Sequence, residues 1–180
     1  GQRYDANGNK VGGEFLVNTL TNDHQYDPNV ASLSDGGFVV TWETKDNASG
    51  DNDKEGIAGQ RFDANGNKLG TEFLVNTHTH KEQEEPSAAG LLDGGFVVVW
   101  ETKDDDTGDD DKGVAGQRFD ANGNKIGAEF LINSFKDHEQ EDPSVSSLND
   151  GGFMIVWESK DKDTGDKHDE GIAGQRYDAN

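Results

Sequence analysis

The sequence predicts an all-β fold made of tandem, four-stranded antiparallel units. A Gly-Gln-Arg motif, followed by Tyr or Phe and then Asp, recurs at spacings of 58, 57 and 58 residues. The apolar runs between the motifs are short and are bounded by Asp-Gly and Asn-Gly turn signals, and no helical periodicity is present. The chain therefore divides into a first repeat over 1–58, a second over 59–115, a third over 116–173 and the start of a fourth over 174–180.

The middle copy predicts its first two strands as a tight hairpin. The first strand runs over 86–92, and the second runs over 96–101 after Asp93-Gly94-Gly95. An Asp-Gly pair between two apolar runs favours a hairpin turn because glycine accepts a positive φ without steric cost. The second strand reads Phe-Val-Val-Val-Trp over 96–100, with apolar residues on both faces. We therefore expect this strand to be covered on both sides.

The third and fourth strands follow an acidic loop. The third strand is predicted over 113–120, which carries the Gly-Gln-Arg-Phe-Asp motif, and Asn122-Gly123 marks a second hairpin turn. The fourth strand is predicted over 129–134, and its counterparts over 72–77 and 14–19. A polar linker ending in an acid-proline pair leads into the next copy, at Asp27-Pro28, Glu85-Pro86 and Asp142-Pro143.

Sheets with two apolar faces, repeated along a chain, are typical of propeller blades that pack face to face. The alternative is a row of small β-sandwiches or barrels, one for each copy. Three copies are fewer than the roughly four to eight blades of closed propellers. We therefore expect an open array of propeller-blade-like units, or closure only by self-association, with neighbouring repeats as the first partners of each unit.

Composition excludes several classes of function. The net charge is −21, from 37 acidic and 16 basic residues, which argues against nucleic-acid binding and favours cations or basic surfaces as partners. Cysteine is absent, so neither a disulfide framework nor a thiolate metal site is present. No apolar run approaches the roughly 18 residues of a membrane span, and none is predicted.

Two residue types recur once in each copy and are predicted to be structural. The tryptophans lie in the second strand between apolar neighbours, so we expect core positions rather than sugar platforms. The arginines suit a fixed, bidentate pair with the Asp two residues on (Asp63 for Arg61) or with the Glu after Trp (Glu101). A recurring Gln is expected to satisfy backbone groups at a strand end. The structural residues are Trp42, Trp100, Trp157, Arg3, Arg61, Arg118 and Arg176.

No catalytic residue is predicted, and we expect the chain not to be an enzyme. The histidines do not occupy one equivalent position in the copies, which argues against a histidine metal site or a general base. No nucleophile with its base recurs, and abundant carboxylates alone do not make an acid-base pair. The histidines are His24, His78, His80, His138 and His168.

The acidic loop of each copy is a candidate calcium site. The second and third loops carry the pattern Asp-x-Asp-x-Gly-Asp, whereas Ala48 interrupts it in the first. Calcium prefers several hard oxygen ligands around a glycine turn, so weak Ca²⁺ binding is one interpretation and a solvated, self-repelling loop is the other. The candidate ligands are Asp46, Asp51, Asp53, Asp104, Asp106, Asp109, Asp111, Asp161, Asp163 and Asp166.

The order of these motifs resembles a known repeat. Glu-Phe-Leu-Val-Asn-Thr over 72–77, Gln83 and Pro86, and Leu-Asp-Gly-Gly-Phe-Val-Val-Val-Trp over 92–100 are similar to a repeat unit of very large proteins. That unit, of roughly 60 residues, occurs in the giant spasmin-binding proteins of contractile ciliates and in bacterial calcium-associated adhesins. The resemblance covers the whole chain, but the segment after Trp is far more acidic here.

The two relatives imply different functions. The ciliate resemblance implies a scaffold in a contractile fibre, cytoplasmic or cytoskeletal, that docks a centrin- or spasmin-like EF-hand protein. The bacterial resemblance implies an extracellular adhesin stalk stiffened by calcium. Frequent lysine and asparagine favour the ciliate type, and an EF-hand partner would have to use strands, loops or the apolar positions Leu20 and Phe135. A carbohydrate-binding propeller is the third hypothesis.

Overall fold

The computed structural model describes residues 1–45, 55–103, 112–136, 138–160 and 170–179. Over these residues the chain is all β, and none of them belongs to a helix that could cross a membrane. The strands are β1 (Arg3–Tyr4), β2 (Lys10–Val11), β3 (Gln25–Ser32), β4 (Phe38–Thr44), β5 (Gly56–Phe62), β6 (Lys68–Leu74), β7 (Gln83–Gly90), β8 (Phe96–Thr102), β9 (Gly113–Phe119), β10 (Lys125–Leu131), β11 (Gln140–Ser147), β12 (Phe153–Ser159) and β13 (Gly171–Tyr177).

The strands form consecutive antiparallel sheets, which confirms the predicted fold class. The first sheet has the order β3-β4-β5-β6, the second β7-β8-β9-β10 and the third β11-β12-β13, while β1 and β2 form a short hairpin. Each sheet is an up-and-down meander, as in a propeller blade, and the array of sheets is open rather than closed. The predicted repeat boundaries fall inside β5, β9 and β13, so each sheet combines strands from two consecutive sequence copies.

Two strands begin earlier than the sequence predicts. The fourth strand of the middle sheet, β10, starts at Lys125 rather than at residue 129, because the turn over 120–124 leads directly into the ladder. Gly127 then takes a φ of 70°, and the register shifts between Ile126 and Phe130. Likewise β7 starts at Gln83 and passes through the acid-proline pair with a register shift. Bulges therefore let these strands continue where the sequence suggested a linker.

The Asp-Gly-Gly segments form the predicted hairpin turns. In the middle sheet Leu91 N–H donates to the Gly95 carbonyl at 2.8 Å, and the Asp93 carboxylate accepts Gly95 N–H at 2.9 Å. Gly94 has a φ of 91°, a conformation that costs glycine nothing and other residues roughly 1 kcal/mol or more. The turn chemistry and the backbone geometry therefore agree.

The sheets stack with their first strands close together. Strand β7 packs against β3, β4 and β5 of the first sheet, and β11 packs against β7, β8 and β9 of the second. A β-carbon on Gly90 would lie 2.1 Å from the Ser32 carbonyl oxygen, so only glycine permits this approach of β7 to β3. Strands β3, β7 and β11 are therefore the inner strands of the array. We call the contact between the first and second sheets the first junction, and that between the second and third sheets the second junction.

The core lies between the sheets and is centred on the tryptophan strands. Trp100 is fully buried, and Trp42 and Trp157 are 3% and 6% exposed. Every residue of β8 is buried, so this strand is covered on both faces as predicted. In β12, Val156 is 37% exposed, since no described sheet covers the outer face of the third sheet. Apolar burial is thus greatest in the middle sheet, which stabilises the stack from both sides.

Candidate functional site

The recurring glutamines hold the tryptophans in the core. The indole N–H of Trp42, Trp100 and Trp157 donates to the side-chain oxygen of a Gln at the start of the preceding strand, at 2.7, 2.8 and 2.8 Å. The amide nitrogen of the same Gln donates to a nearby backbone carbonyl, as the sequence predicted. These tryptophans are therefore satisfied core residues, and they are not placed to stack on a sugar. The glutamines are Gln25, Gln83 and Gln140.

The arginine partners differ from the prediction. Arg3 donates to the carbonyls of Ala64, at 2.6 Å, and Asn65, and Arg61 lies against the equivalent Gly123. The predicted partner of Arg61, Asp63, accepts instead from Asn65 N–H and from both nitrogens of Asn67, which lowers its pKa. The Asp63 carboxylate is already used by its own turn, whereas Arg3 bonds backbone carbonyls of the next turn along the array.

Two arginines do pair with carboxylates. Arg118 contacts Asp93 at 3.3 Å, and Arg176 contacts Asp150 at 2.5 Å and Asp178 at 2.8 Å. Only Arg176 thus pairs with the Asp two residues on. No described arginine pairs with Glu101, which binds Lys112 instead. All of these contacts are structural, and none forms a free anion site.

A second recurring contact joins the outer strands of neighbouring sheets. Glu129 in β10 accepts the backbone N–H groups of Thr77 and His78 at 2.6 and 3.2 Å, and burial raises its pKa. Lys125 donates to the Asn76 carbonyl at 3.0 Å and to the Thr77 hydroxyl at 2.9 Å. One copy earlier, Glu72 and Lys68 make the same contacts to Asn18, Thr19 and Leu20.

An acidic cavity of about 500 Å³, open to solvent, lies beside the inner strands. Its wall includes the acid of each acid-proline pair, and these residues have left-handed backbones with φ values of 45°, 53° and 51°. A residue before proline is rarely left-handed, and such a conformation costs roughly 1–3 kcal/mol. The bulged inner strands therefore aim a carboxylate from each sheet towards the cavity. These residues are Asp27, Glu85 and Asp142.

At the second junction the cavity wall carries a chain of ion pairs. Lys112 lies 2.8 Å from Glu101 Oε1 and 2.6 Å from Glu141 Oε1, and it therefore links the second sheet to the third. Lys160 lies 2.6 Å from Glu141 Oε2 and 2.5 Å from Glu139. Burial raises the pKa of Glu101 to about 6, although Lys112 opposes the shift, whereas the lysines lower the pKa of Glu141.

The first junction has a different set of charges. Glu55 occupies the position of Lys112 at the start of the third strand, and it pairs with Lys45. Glu43, the counterpart of Glu101, is 7% exposed and makes no hydrogen bond or ion pair within the described ranges. Burial, together with the charges of Glu84, Asp27 and Glu55, raises the pKa of Glu43 to about 7. The neutral form of this carboxyl is therefore favoured far more than in an exposed glutamate.

The predicted calcium ligands lie outside the described residues. All ten aspartates fall within 46–54, 104–111 and 161–169. His168, one of the five histidines, also lies outside the described residues. Among the residues that the structure does describe, no group of three or more histidine, aspartate or glutamate side chains is arranged to hold a metal ion. His24 stacks on Tyr26 with ring centres 5.7 Å apart. The calcium hypothesis therefore stays a prediction.

The acidic cavity does not follow from the sequence pattern. Two signals pointed to it: a Glu after every Trp, at Glu43, Glu101 and Glu158, and an acid before every linker proline. From the sequence alone, the Glu after Trp is a candidate partner for arginine and the acid-proline pair marks the end of a linker. Their convergence depends on the stacking of β3, β7 and β11, which the sequence pattern alone does not specify.

No protein-family model and no curated protein matches the chain. Solved structures do match: one is a protein of unknown function from Dyadobacter fermentans, with a TM-score of 0.58 and 10% identity over 89% of this chain and 52% of that one. An endo-arabinase from Bacteroides thetaiotaomicron gives 0.52 and 14% identity over 96% of this chain and 63% of that one. An α-L-arabinofuranosidase from Lactobacillus brevis gives 0.54 and 13% identity over 97% and 65%.

The chain thus spans between about half and two thirds of the length of these solved proteins. Two of them are carbohydrate-active enzymes by name. At identities of 10–14% the likeness shows a shared fold, and it extends to neither their activity nor their substrates. What it shows is that this chain has the propeller-like architecture of such carbohydrate-active domains.

Proposed function

We propose that this chain is a non-enzymatic, tandem-repeat scaffold segment that offers regularly spaced docking sites to protein partners. The proposal rests on one observation: the recurring polar residues bond to other parts of the repeat, both within a sheet and between neighbouring sheets. The recurring Gln binds the Trp of its own sheet. The Glu and the Lys of each outer strand bind the preceding copy. The recurring Arg binds either a turn or a neighbouring carboxylate. A repeat whose recurring residues stabilise its own stacking suits a long, stiff array.

The partner implied by the ciliate resemblance, a centrin- or spasmin-like EF-hand protein, stays part of this proposal. We expect an EF-hand partner to bind once for each copy, through residues that recur in every copy. A cytoskeletal location and a contractile fibre follow only if this partner is real. The acidic character of the chain favours basic partner surfaces, so a largely acidic EF-hand protein would need a basic or apolar face.

Calorimetric titration of the chain with a centrin, with and without calcium, tests this proposal. We expect saturable binding, with a stoichiometry that scales when the number of copies in the chain is changed. A stoichiometry independent of copy number would contradict regularly spaced docking. Hydrolysis of aryl glycosides by the chain, lost in Glu43→Gln or Glu101→Gln, would contradict the non-enzymatic part.

A carbohydrate-binding propeller is the second candidate function. It is supported by the fold shared with carbohydrate-active domains and by a cavity whose carboxylates could accept hydrogen bonds from sugar hydroxyls. Against it, the three tryptophans are buried and bonded to glutamine. A glycan array separates the candidates: specific binding of neutral sugars would favour the propeller lectin over the scaffold.

A further inference from the structure

At the second junction the wall of the acidic cavity already holds an ammonium group of the chain itself. There the ammonium of Lys112 lies between Glu101 Oε1, from its own sheet, and Glu141 Oε1, from the next sheet. The other oxygen of Glu141 binds Lys160. Each of these carboxylates therefore has a cationic partner, and a single primary ammonium joins the two sheets across the cavity wall.

The first junction repeats the same carboxylates without the same cation. Glu43 corresponds to Glu101 and Glu84 to Glu141, but Glu55 stands where the second junction has Lys112. Glu84 Oε2 binds Lys103 at 2.8 Å, as Glu141 Oε2 binds Lys160, and Glu84 Oε1 has no partner among the described residues. The Glu43 carboxylate also has no hydrogen-bond or ion-pair partner among the described residues, although Glu43 is more than nine-tenths buried and lines the cavity.

The nearby lysines of the first junction are already engaged. Lys45 pairs with Glu55 and lies 5.4 Å from the ring centre of Tyr26. Lys103 binds Glu82 and Glu84 at 2.5 and 2.8 Å. Positions 24 and 26 are His and Tyr, whereas both later copies have Glu there, so Lys45 lacks the two glutamates that Lys103 and Lys160 bind. Its ion pair with Glu55 follows from that difference.

We propose that the cavity wall at the first junction is a binding site for a primary ammonium group, held between Glu43 and Glu84 in the position that Lys112 takes at the second junction. A primary ammonium fits better than a metal ion, because the described residues contain no preformed metal-ligand group and the equivalent site already holds an ammonium. An unpaired, buried carboxylate is costly, and a bound cation offsets that cost.

The source of the ammonium that we favour is a lysine side chain of a protein partner. This choice rests on the proposed scaffold function, while the ammonium site itself does not depend on it. The cavity is open to an incoming side chain, and the net charge of −21 attracts basic segments over a distance. A protonated amino sugar has the same chemistry and is the alternative source.

The experiment is a calorimetric or NMR titration of the whole chain with three probes: acetyl-Gly-Lys-Gly-amide, glucosamine and calcium chloride. Glu43→Gln should weaken amine binding by about tenfold or more, since it removes one carboxylate of a buried charge pair. Glu55→Lys should abolish binding, because it builds the cation of the second junction into the first. Glu158→Gln is the matched control, because Glu158 follows Trp157 as Glu43 follows Trp42 but does not line the cavity, and it should leave amine binding unchanged.

Lys112→Glu gives a gain-of-function test, because it should create a second amine site. Binding of the lysine peptide supports both the site and the scaffold partner, whereas binding of glucosamine alone supports the site and contradicts a protein lysine. No saturable amine binding, binding unaffected by both Glu43→Gln and Glu55→Lys, or binding of calcium alone would overturn the proposal. Circular dichroism of each variant verifies that it is folded.

Discussion

The two junctions share one packing scheme but differ in charge. At both, the inner strand of one sheet packs on the face of the preceding sheet, and a Trp of the later sheet, bonded to Gln, lies in the core between the two sheets. At both, a Glu and a Lys of the outer strand bind the loop of the copy before. At the cavity wall, however, the charges differ. Lys112 offsets the negative charges of Glu101 and Glu141 at the second junction. At the first junction Glu55 takes the place of Lys112, so the negative charge of Glu43 is only partly offset.

This difference shows which part of the repeat is constrained. Apolar burial and backbone bonding leave little freedom, because a changed core residue leaves a cavity or an unpaired polar group. A charged residue at the cavity edge can change sign at a smaller cost, since water and neighbouring charges respond to it. We therefore expect the stacking to be common to all copies and the cavity charge to distinguish them. The predictions below test that division, beginning with the largest effect.

The largest effect tests the shared core. Trp100→Ala should reduce the free energy of unfolding by about 3–5 kcal/mol, because Trp100 is fully buried and its N–H bonds Gln83. Trp157→Ala should cost somewhat less, since Trp157 is 6% exposed. Denaturant melts monitored by circular dichroism measure both. A loss below about 1 kcal/mol for Trp100→Ala would show that the core does not depend on this residue.

The next effect tests the second junction. Lys112→Met keeps the length of the side chain but leaves Glu101, which is 3% exposed, without its cation. We expect a loss of about 2 kcal/mol at pH 8, and recovery of part of it when Glu101→Gln is added. The matched control is Lys103→Met, whose more exposed partners predict a loss below about 1 kcal/mol. Equal losses in the two variants would contradict a special role for Lys112.

A pH effect distinguishes the first junction. The pKa of Glu43 is raised from 4.5 to about 7 in the folded chain, so the native state binds this proton more tightly than the unfolded state. The stabilising contribution of the neutral carboxyl is present below about pH 4.5 and is lost as the pH rises through about 7. Glu43→Gln should match the parent at pH 4 and exceed its stability by about 2 kcal/mol at pH 8.

The measurement is the unfolding free energy of parent and variant between pH 4 and pH 8, with Glu101→Gln as the control. The control should gain less stability relative to the parent between pH 4 and pH 8, because the pKa of Glu101 is raised only to about 6 and its replacement breaks the ion pair with Lys112. A constant difference between parent and Glu43→Gln across this range would show that Glu43 titrates normally.

The smallest effect concerns calcium and the acidic loops. Relief of charge repulsion by bound Ca²⁺ should stabilise the chain by about 1.4 kcal/mol at a tenfold excess over the dissociation constant. The loops of the second and third copies should bind better than the first, where Ala48 interrupts the pattern. Replacing Asp104, Asp106 and Asp109 with Asn should remove one site, and EDTA should remove the whole effect. A melting shift no larger than that in sodium chloride of equal ionic strength would exclude the sites.

Much of the fold follows from local sequence. The alternation of short apolar runs with Asp-Gly and Asn-Gly pairs predicts the hairpins, since these pairs adopt the backbone angles that the turns require. The two apolar faces around Trp100 predict a strand covered on both sides. The strand limits were less accurate, because the bulges at Glu85 and Gly127 let strands run through positions that look like linkers.

The sequence by itself determined the repeat, the class of fold and the burial of each Trp, since these depend on residues close together in the chain. The tertiary structure decided the partners of Arg3 and Glu101 and brought Glu43 and Glu84 to one cavity. Those contacts join residues from different sheets, so they depend on how the inner strands approach one another. Sequence periodicity specifies which face of a strand is buried, and only stacking specifies which charges on neighbouring sheets meet.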